Sequence, residues 1–128
     1  IDKEIENGIP QLAHDFYAKL GSADLIIISF AEHNGAYSAA FKNIFDWASR
    51  INGKTFQEKP ILLLATSPGA RGGSSVLEIA NNRFPFQGGI VKGSFSLPNF
   101  NDNFDSEEGI TNEELKNELL KIVNSIEL

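Results

Sequence analysis

Two short segments hold the residues whose types and spacing could do chemistry. The first is Glu32-His33-Asn34-Gly35. A carboxylate beside an imidazole suits proton transfer or one edge of a metal site. However, His14 is the only other histidine, and no His-x-x-His pair or carboxylate cluster accompanies it. The expected metal set is therefore empty. No Gly-x-Ser-x-Gly elbow supports a hydrolase role for His33. Asn34-Gly35 also reads as a plain turn with positive φ. The second segment is Ser67-Pro68-Gly69-Ala70-Arg71-Gly72-Gly73-Ser74. Bare N–H groups on such a loop could bind an anion or the polar edge of a ring, with Arg71 adding a charge. The loop lacks the Gly-Lys-[Ser/Thr] ending of a phosphate loop and the spacing of a dinucleotide fingerprint. It reads either as a strand-to-helix turn or as a ligand contact, and only its place in the fold favours contact.

These segments need elements to position them. Residues 10–20 read as a helix, with Pro10 at the first helical position, Leu12, Phe16 and Leu20 on one stripe, and Gly21 as the stop. Leu25-Ile26-Ile27-Ile28-Ser29-Phe30 reads as a strand buried on both faces. Residues 38–51 form a second helix, with Phe41, Ile44, Phe45 and Ala48 on the apolar stripe. Lys42, Asp46 and Arg50 lie four apart on another face. Trp47 falls off the stripe and suits either a subunit contact or packing on the next loop. Pro60 opens a second buried strand through Thr66, and a short helix through Val76, Leu77 and Ala80 follows the Gly-rich loop. Phe84-Pro85-Phe86 reads as ordinary packing, with a partner contact as the alternative. Residues 90–97 read as a third strand, and 98–110 as a polar loop. The last helix opens on a capping box of Thr111 and Glu114, with Leu115, Leu119, Ile122 and Ile126 as its stripe.

Strands alternating with amphipathic helices predict an α/β layer fold with a mainly parallel sheet. Ligands of such sheets bind outside the carboxyl ends of the strands. Residues 30–38 and 67–74 both lie there.

Composition narrows the function classes. The 128 residues suit one domain, spanning 1–128. Hydrophobic residues are 41% and charged residues 22%, a globular balance. The net charge of -6 argues against nucleic acid as a partner. It is also local: residues 99–128 hold eight acids against two bases, whereas residues 1–98 balance. No apolar run approaches the ~20 residues needed to cross a membrane, so no membrane partner is expected. Cysteine is absent, which excludes thiolate chemistry and fits a reducing, cytoplasmic setting. The chain opens Ile-Asp-Lys and contains no Met, so its first residue is expected to lie downstream of an initiator.

Ala31-Glu32-His33-Asn34-Gly35, then Phe41-Lys42-Asn43 and Asp46-Trp47, resembles a known signature. That signature is the Pro-Glu-Tyr-Asn-Gly … Leu-Lys-Asn-x-x-Asp-Trp of the NAD(P)H-dependent FMN reductase family, which includes flavodoxin-like quinone, chromate and azo-compound reductases. Ser67-Pro68-Gly69 with Gly72-Gly73 is similar to the family's second Gly-rich loop, in the expected order and spacing. The resemblance covers essentially the whole chain. It implies a flavodoxin-like α/β three-layer sandwich with a parallel sheet, and FMN and NAD(P)H as cofactors. The first loop, Glu32, His33, Asn34 and Gly35, would meet the flavin ring through backbone groups. Ser67, Pro68, Gly69, Gly72 and Gly73 of the second loop would meet it too, with Arg71 helping an anionic group. His33 replaces the family Tyr, and Ala31 the Pro. No side chain need act as acid or base. The implied partners are a small-molecule electron acceptor such as a quinone or free flavin, and further copies in a homodimer or homotetramer built through the helix bearing Lys42, Asp46 and Trp47.

The family's opening strand, its Gly-Ser-x-Arg-x-x-Ser-x-Asn phosphate loop, the following helix and the second strand have no counterpart here. Ile1 would align just after that second strand, leaving the C-terminal two-thirds of the fold. The expectations are then an uncovered strand edge at 25–30, self-association or pairing with other sequence there, and weak or no FMN retention. Replacing Gly72 and Gly73 by Val is expected to abolish flavin binding without unfolding the domain. A non-catalytic electron carrier or interaction module is the rival reading, and another kind of nucleotide-binding α/β domain a third.

Overall fold

The computed structural model describes residues 6–128. The expected alignment of Ile1 lies outside the described residues. The main sheet has three parallel strands, β1 (Ile26–Phe30), β4 (Lys59–Thr66) and β5 (Gly89–Leu97), in the order β1-β4-β5. Ile26 pairs with Ile61 and Phe30 with Ala65, while Lys59 pairs with Gly89 and Thr66 with Leu97. Two hairpins stand apart, β2 (Glu32–His33) with β3 (Ala36–Tyr37) and β6 (Phe104–Asp105) with β7 (Gly109–Ile110).

Three helices, α1 (Gln11–Ser22), α2 (Ala39–Ile51) and α3 (Ser74–Arg83), supply one layer. Their buried residues join the sheet face made by Ile26, Phe30, Ile61, Leu63 and Ala65. The strand period of two turns Leu62 and Leu64 to the opposite face. There α5 (Glu113–Ser125) packs on β5, with Ile122 lying over Gly93 where a Cβ would collide with it. The result is the expected three-layer sandwich. A register shift between Ile61 and Leu62 seats Gly93, not Lys92, beside Leu62.

Several sequence expectations need correction. Pro10 caps α1 from outside with ψ 143° rather than opening it. Gly21 does not stop the helix, which runs on to Ser22. A Cβ on Gly21 would lie 2.5 Å from Gln57 Oε1, so the glycine serves close approach. Leu12 is not on the buried stripe but 74% exposed; Ala13 is buried instead. β1 is buried on one face only, and Ile27 on its other face is 58% exposed because no helix among the described residues covers it. The segment 98–110 is not a plain loop. It contains a helical turn, α4 (Phe100–Asn103), and the β6–β7 hairpin, whose bend is held by the Asp105 carboxylate accepting from Glu107 and Glu108 N–H. The cap of α5 is Asn112, whose side chain accepts from Leu115 N–H at 3.1 Å, rather than Thr111. Asn serves there at least as well as Thr, one residue closer to the first turn.

Ser38 caps α2, and Lys42 pairs with Asp46 at 2.7 Å. Phe45 and Ala48 are buried, and Trp47 is half-buried. Phe84 is fully buried in a 3-10 turn (Phe84–Gln87) while Phe86 is 71% exposed. No helix among the described residues is long and apolar enough to cross a membrane.

Candidate functional site

Parallel pairing brings the carboxyl ends of β1, β4 and β5 to one edge of the sheet. The segments 31–38, 67–73 and 98–110 gather there.

The first segment folds as the β2–β3 hairpin. Asn34 and Gly35 form its two-residue turn with φ of 51° and 79°, the signs a tight hairpin of this twist requires. Glu32 pairs with Tyr37 and His33 with Ala36. Directly paired residues share a face. Glu32 and Tyr37 are half-buried together, whereas His33, Asn34, Gly35 and Ala36 are exposed. The Tyr37 ring packs on Phe30 at 5.6 Å and Phe41 at 5.0 Å, inside an aromatic cluster with Phe45 and Phe84. The Tyr37 hydroxyl is buried and has no hydrogen-bond partner among the described residues. Burial pushes its pKa up from 10.0 to about 12, against the opposing charge of Arg83.

The Glu32 side chain points inward. Val76 N–H donates to Glu32 Oε1 at 2.9 Å, across 44 residues of sequence. Val76 is the third residue of α3, whose N-cap is Gly73 with no side chain to offer. Glu32 therefore caps α3 from another element. Acid–base work by an exposed Glu32-His33 pair is not what this arrangement supports.

The second segment divides in two. Gly72 and Gly73 are buried, with φ of 57° and 80°. A Cβ on Gly73 would lie 2.7 Å from Ala65 Cβ, and one on Gly72 would lie 2.8 Å from Pro98 backbone. This corrects the expectation that both accept Val without unfolding: the glycines are demanded by the strand-to-helix junction itself. Ser67 is half-buried, and Pro68, Gly69 and Arg71 are exposed. The Arg71 guanidinium donates to Ser75 Oγ at 3.0 Å, which ties it to the first turn of α3.

The third segment was not among the candidates read from the sequence. Asn99 N–H donates to Gly69 O at 2.9 Å and Phe100 N–H to Ser67 O at 3.0 Å. Ser96 Oγ donates to Gly72 O at 2.8 Å. These bonds brace the second loop from the end of β5. The Pro98-Asn99 turn signal could have pointed to them, since Asn99 adopts φ 48°. Phe100 stacks on Phe104 at 4.8 Å over an apolar cavity of about 220 Å³, lined by Leu64, Leu97 and Leu119 among others.

What the arrangement offers is main-chain polar groups on two neighbouring loops. Among the described residues no group of three or more His, Asp or Glu stands together as a metal site. A three-layer sandwich with two polar loops at adjacent strand ends defines a flavodoxin-like protein. The solved flavoenzyme FerB, an NAD(P)H:(acceptor) oxidoreductase of Paracoccus denitrificans, shares the fold. The TM-score is 0.75 at 21% identity, covering 98% of this chain and 70% of that one. The chain belongs to the NADPH-dependent FMN reductase family, whose model matches residues 1–102. It is 30% identical to an NADPH:quinone oxidoreductase of Arabidopsis thaliana over 98% of this chain and 65% of that protein. It is 32% identical to an NAD(P)H-dependent FMN reductase of Pseudomonas aeruginosa, over 51% of this chain and 35% of that protein. The chain thus spans just under two-thirds of the plant relative's length.

Proposed function

We propose that the protein is an NAD(P)H-dependent oxidoreductase that binds FMN and reduces a small acceptor, a quinone or a free flavin. The observation that carries this reading is the juxtaposition of residues 31–35 and 67–73 at adjacent parallel strand ends, locked by the Glu32–Val76 bond. The residues present fit the ring of FMN. His33, Asn34 and Gly35 on one side, and Ser67, Pro68, Gly69 and Arg71 on the other, would hold its polar edge. Gly72 and Gly73 shape the second loop. The positive end of α3 is already met by the Glu32 carboxylate, so these loops suit a neutral ring edge better than a phosphate. FMN bound there would supply the two-electron chemistry, accepting hydride from NAD(P)H and yielding electrons to the acceptor. The chain's own part is to bind and orient; no side chain is assigned as acid, base or nucleophile.

The names of the relatives support quinone-type acceptors and both nicotinamide cofactors. The reading extends to a cytoplasmic homodimer or homotetramer built through α2, with its exposed Lys42–Asp46 pair, and to a single domain over 1–128. The test is steady-state oxidation of NADH and NADPH with FMN and a quinone. Acceptor-dependent oxidation supports the reading. FMN binding without nicotinamide turnover marks an electron carrier instead. Absence of both overturns it. Retention of FMN through purification by these 128 residues alone is expected to be weak or absent, which is why the assay supplies FMN; stoichiometric flavin absorbance in the purified chain would contradict that.

A further inference from the structure

We infer that Glu32 is a positioning residue, whose carboxylate sets where the first loop stands relative to the second. The inference rests on the reading of the two loops as ring contacts. α3 cannot cap itself. Its N-cap must be Gly73, because φ 80° and Ala65 Cβ leave no room for a side chain. Ser74 N–H donates to Arg71 O just before the helix at 2.9 Å, whereas Val76 N–H, two residues further in, needs an acceptor from elsewhere. Glu32 Oε1 supplies one to Val76, and its negative charge faces the positive end of the helix.

The dependence runs both ways. The β2–β3 ladder has only two residue pairs, too few to hold a hairpin in place alone. Two side chains fasten it, and they are cross-strand partners on its inner face: Tyr37 in the aromatic cluster and Glu32 on α3. The Tyr37 hydroxyl has no hydrogen-bond partner among the described residues, and Glu32 supplies the directional tie. Its length matters as well as its oxygen. Aspartate, one methylene shorter, keeps the charge but loses the reach. Glutamine keeps the reach and an acceptor oxygen while giving up the charge.

The experiment compares Glu32→Gln, Glu32→Asp and Glu32→Ala with the unaltered protein. FMN affinity is read by flavin fluorescence, and the backbone amides of Asn34, Gly35 and Val76 by 1H–15N spectra without flavin. In E32A and E32D, FMN binding should weaken by about tenfold, the scale of one charge-assisted hydrogen bond. The Asn34, Gly35 and Val76 amides should shift together. E32Q should stay within about threefold with those amides near their original positions. E32A with a shifted Val76 amide but unmoved Asn34 and Gly35 would overturn the inference, as would unchanged FMN affinity. If the unaltered protein binds no FMN, the functional reading fails. The amide shifts then decide the positioning role by themselves.

Discussion

At the scale of single residues, Tyr37 makes a measurable prediction. Its hydroxyl is buried with no partner among the described residues, and its pKa is raised to about 12. A phenol whose folded pKa exceeds its unfolded value of 10.0 favours the folded state while it stays neutral. That contribution is intact below pH 10 and is lost as pH rises toward 12. Tyr37→Phe should remove this alkaline slope, measured as urea midpoints from pH 8 to 12. At neutral pH it should be neutral or stabilising by up to about 1 kcal/mol, since it deletes an unsatisfied donor. The glycines give a second contrast. Gly73→Ala meets both a positive φ and the Ala65 methyl, and should destabilise by roughly 2–4 kcal/mol. Gly35→Ala meets nothing within 4 Å, so it should cost only its backbone conformation, about 1 kcal/mol. Equal losses in chemical denaturation would refute that distinction. The turn at Asn34-Gly35 was readable from sequence because its cause is local. The role of Glu32 was not, because its acceptor oxygen serves an N–H 44 residues away.

At the scale of elements, the helix interiors followed from periodicity, whereas their ends did so only where a local side chain decides them. Ser38 was the N-terminal boundary of α2 in both views, since its own Oγ accepts from Phe41 N–H. Gly21 misled because its reason is Gln57 on another segment, which no period in α1 encodes. The cap of α5 slipped by one residue because Thr111 and Asn112 are both good caps, and only geometry chooses between them. Asn112→Ala should therefore destabilise by about 1 kcal/mol, and Thr111→Ala by a few tenths. Thermal melts of the two variants check this, and a larger loss for Thr111→Ala would restore the capping box. The brace from β5 onto the second loop escaped the sequence reading for the same reason as Glu32. Its bonds join main-chain groups of Ser67 and Gly69 to Asn99 and Phe100, about which side-chain types say little.

At the scale of the molecule, the α/β class and the parallel sheet were legible because buried strands and amphipathic helices alternate cleanly. The extent to which one face stands open was not, because an apolar run cannot tell which side is covered. Among the described residues β1 pairs only with β4, and Ile27 and Leu12 lie exposed. On the Leu12 side, away from Ile27, an open groove of about 500 Å³ is lined by Leu12, Phe16, Leu20, Ala23 and Ile26 together with Asp15 and Lys19. A free edge with apolar flanks favours pairing with another strand. The 128-residue chain should therefore self-associate, and Ile27→Lys should shift it toward monomer in light scattering across a concentration series. A monomer at all concentrations would contradict this. The parallel sheet has one more consequence, for the time course of folding. No two of its neighbouring strands are joined by a hairpin; Ile26 must find Ile61, and Ile61 must find Val91. Each ladder begins only after a long stretch of chain has been drawn into a closed loop, while the helices need only their own neighbours. The strand ends that gather the two loops should therefore assemble late, with the contact between Glu32 and Val76 among the last to form.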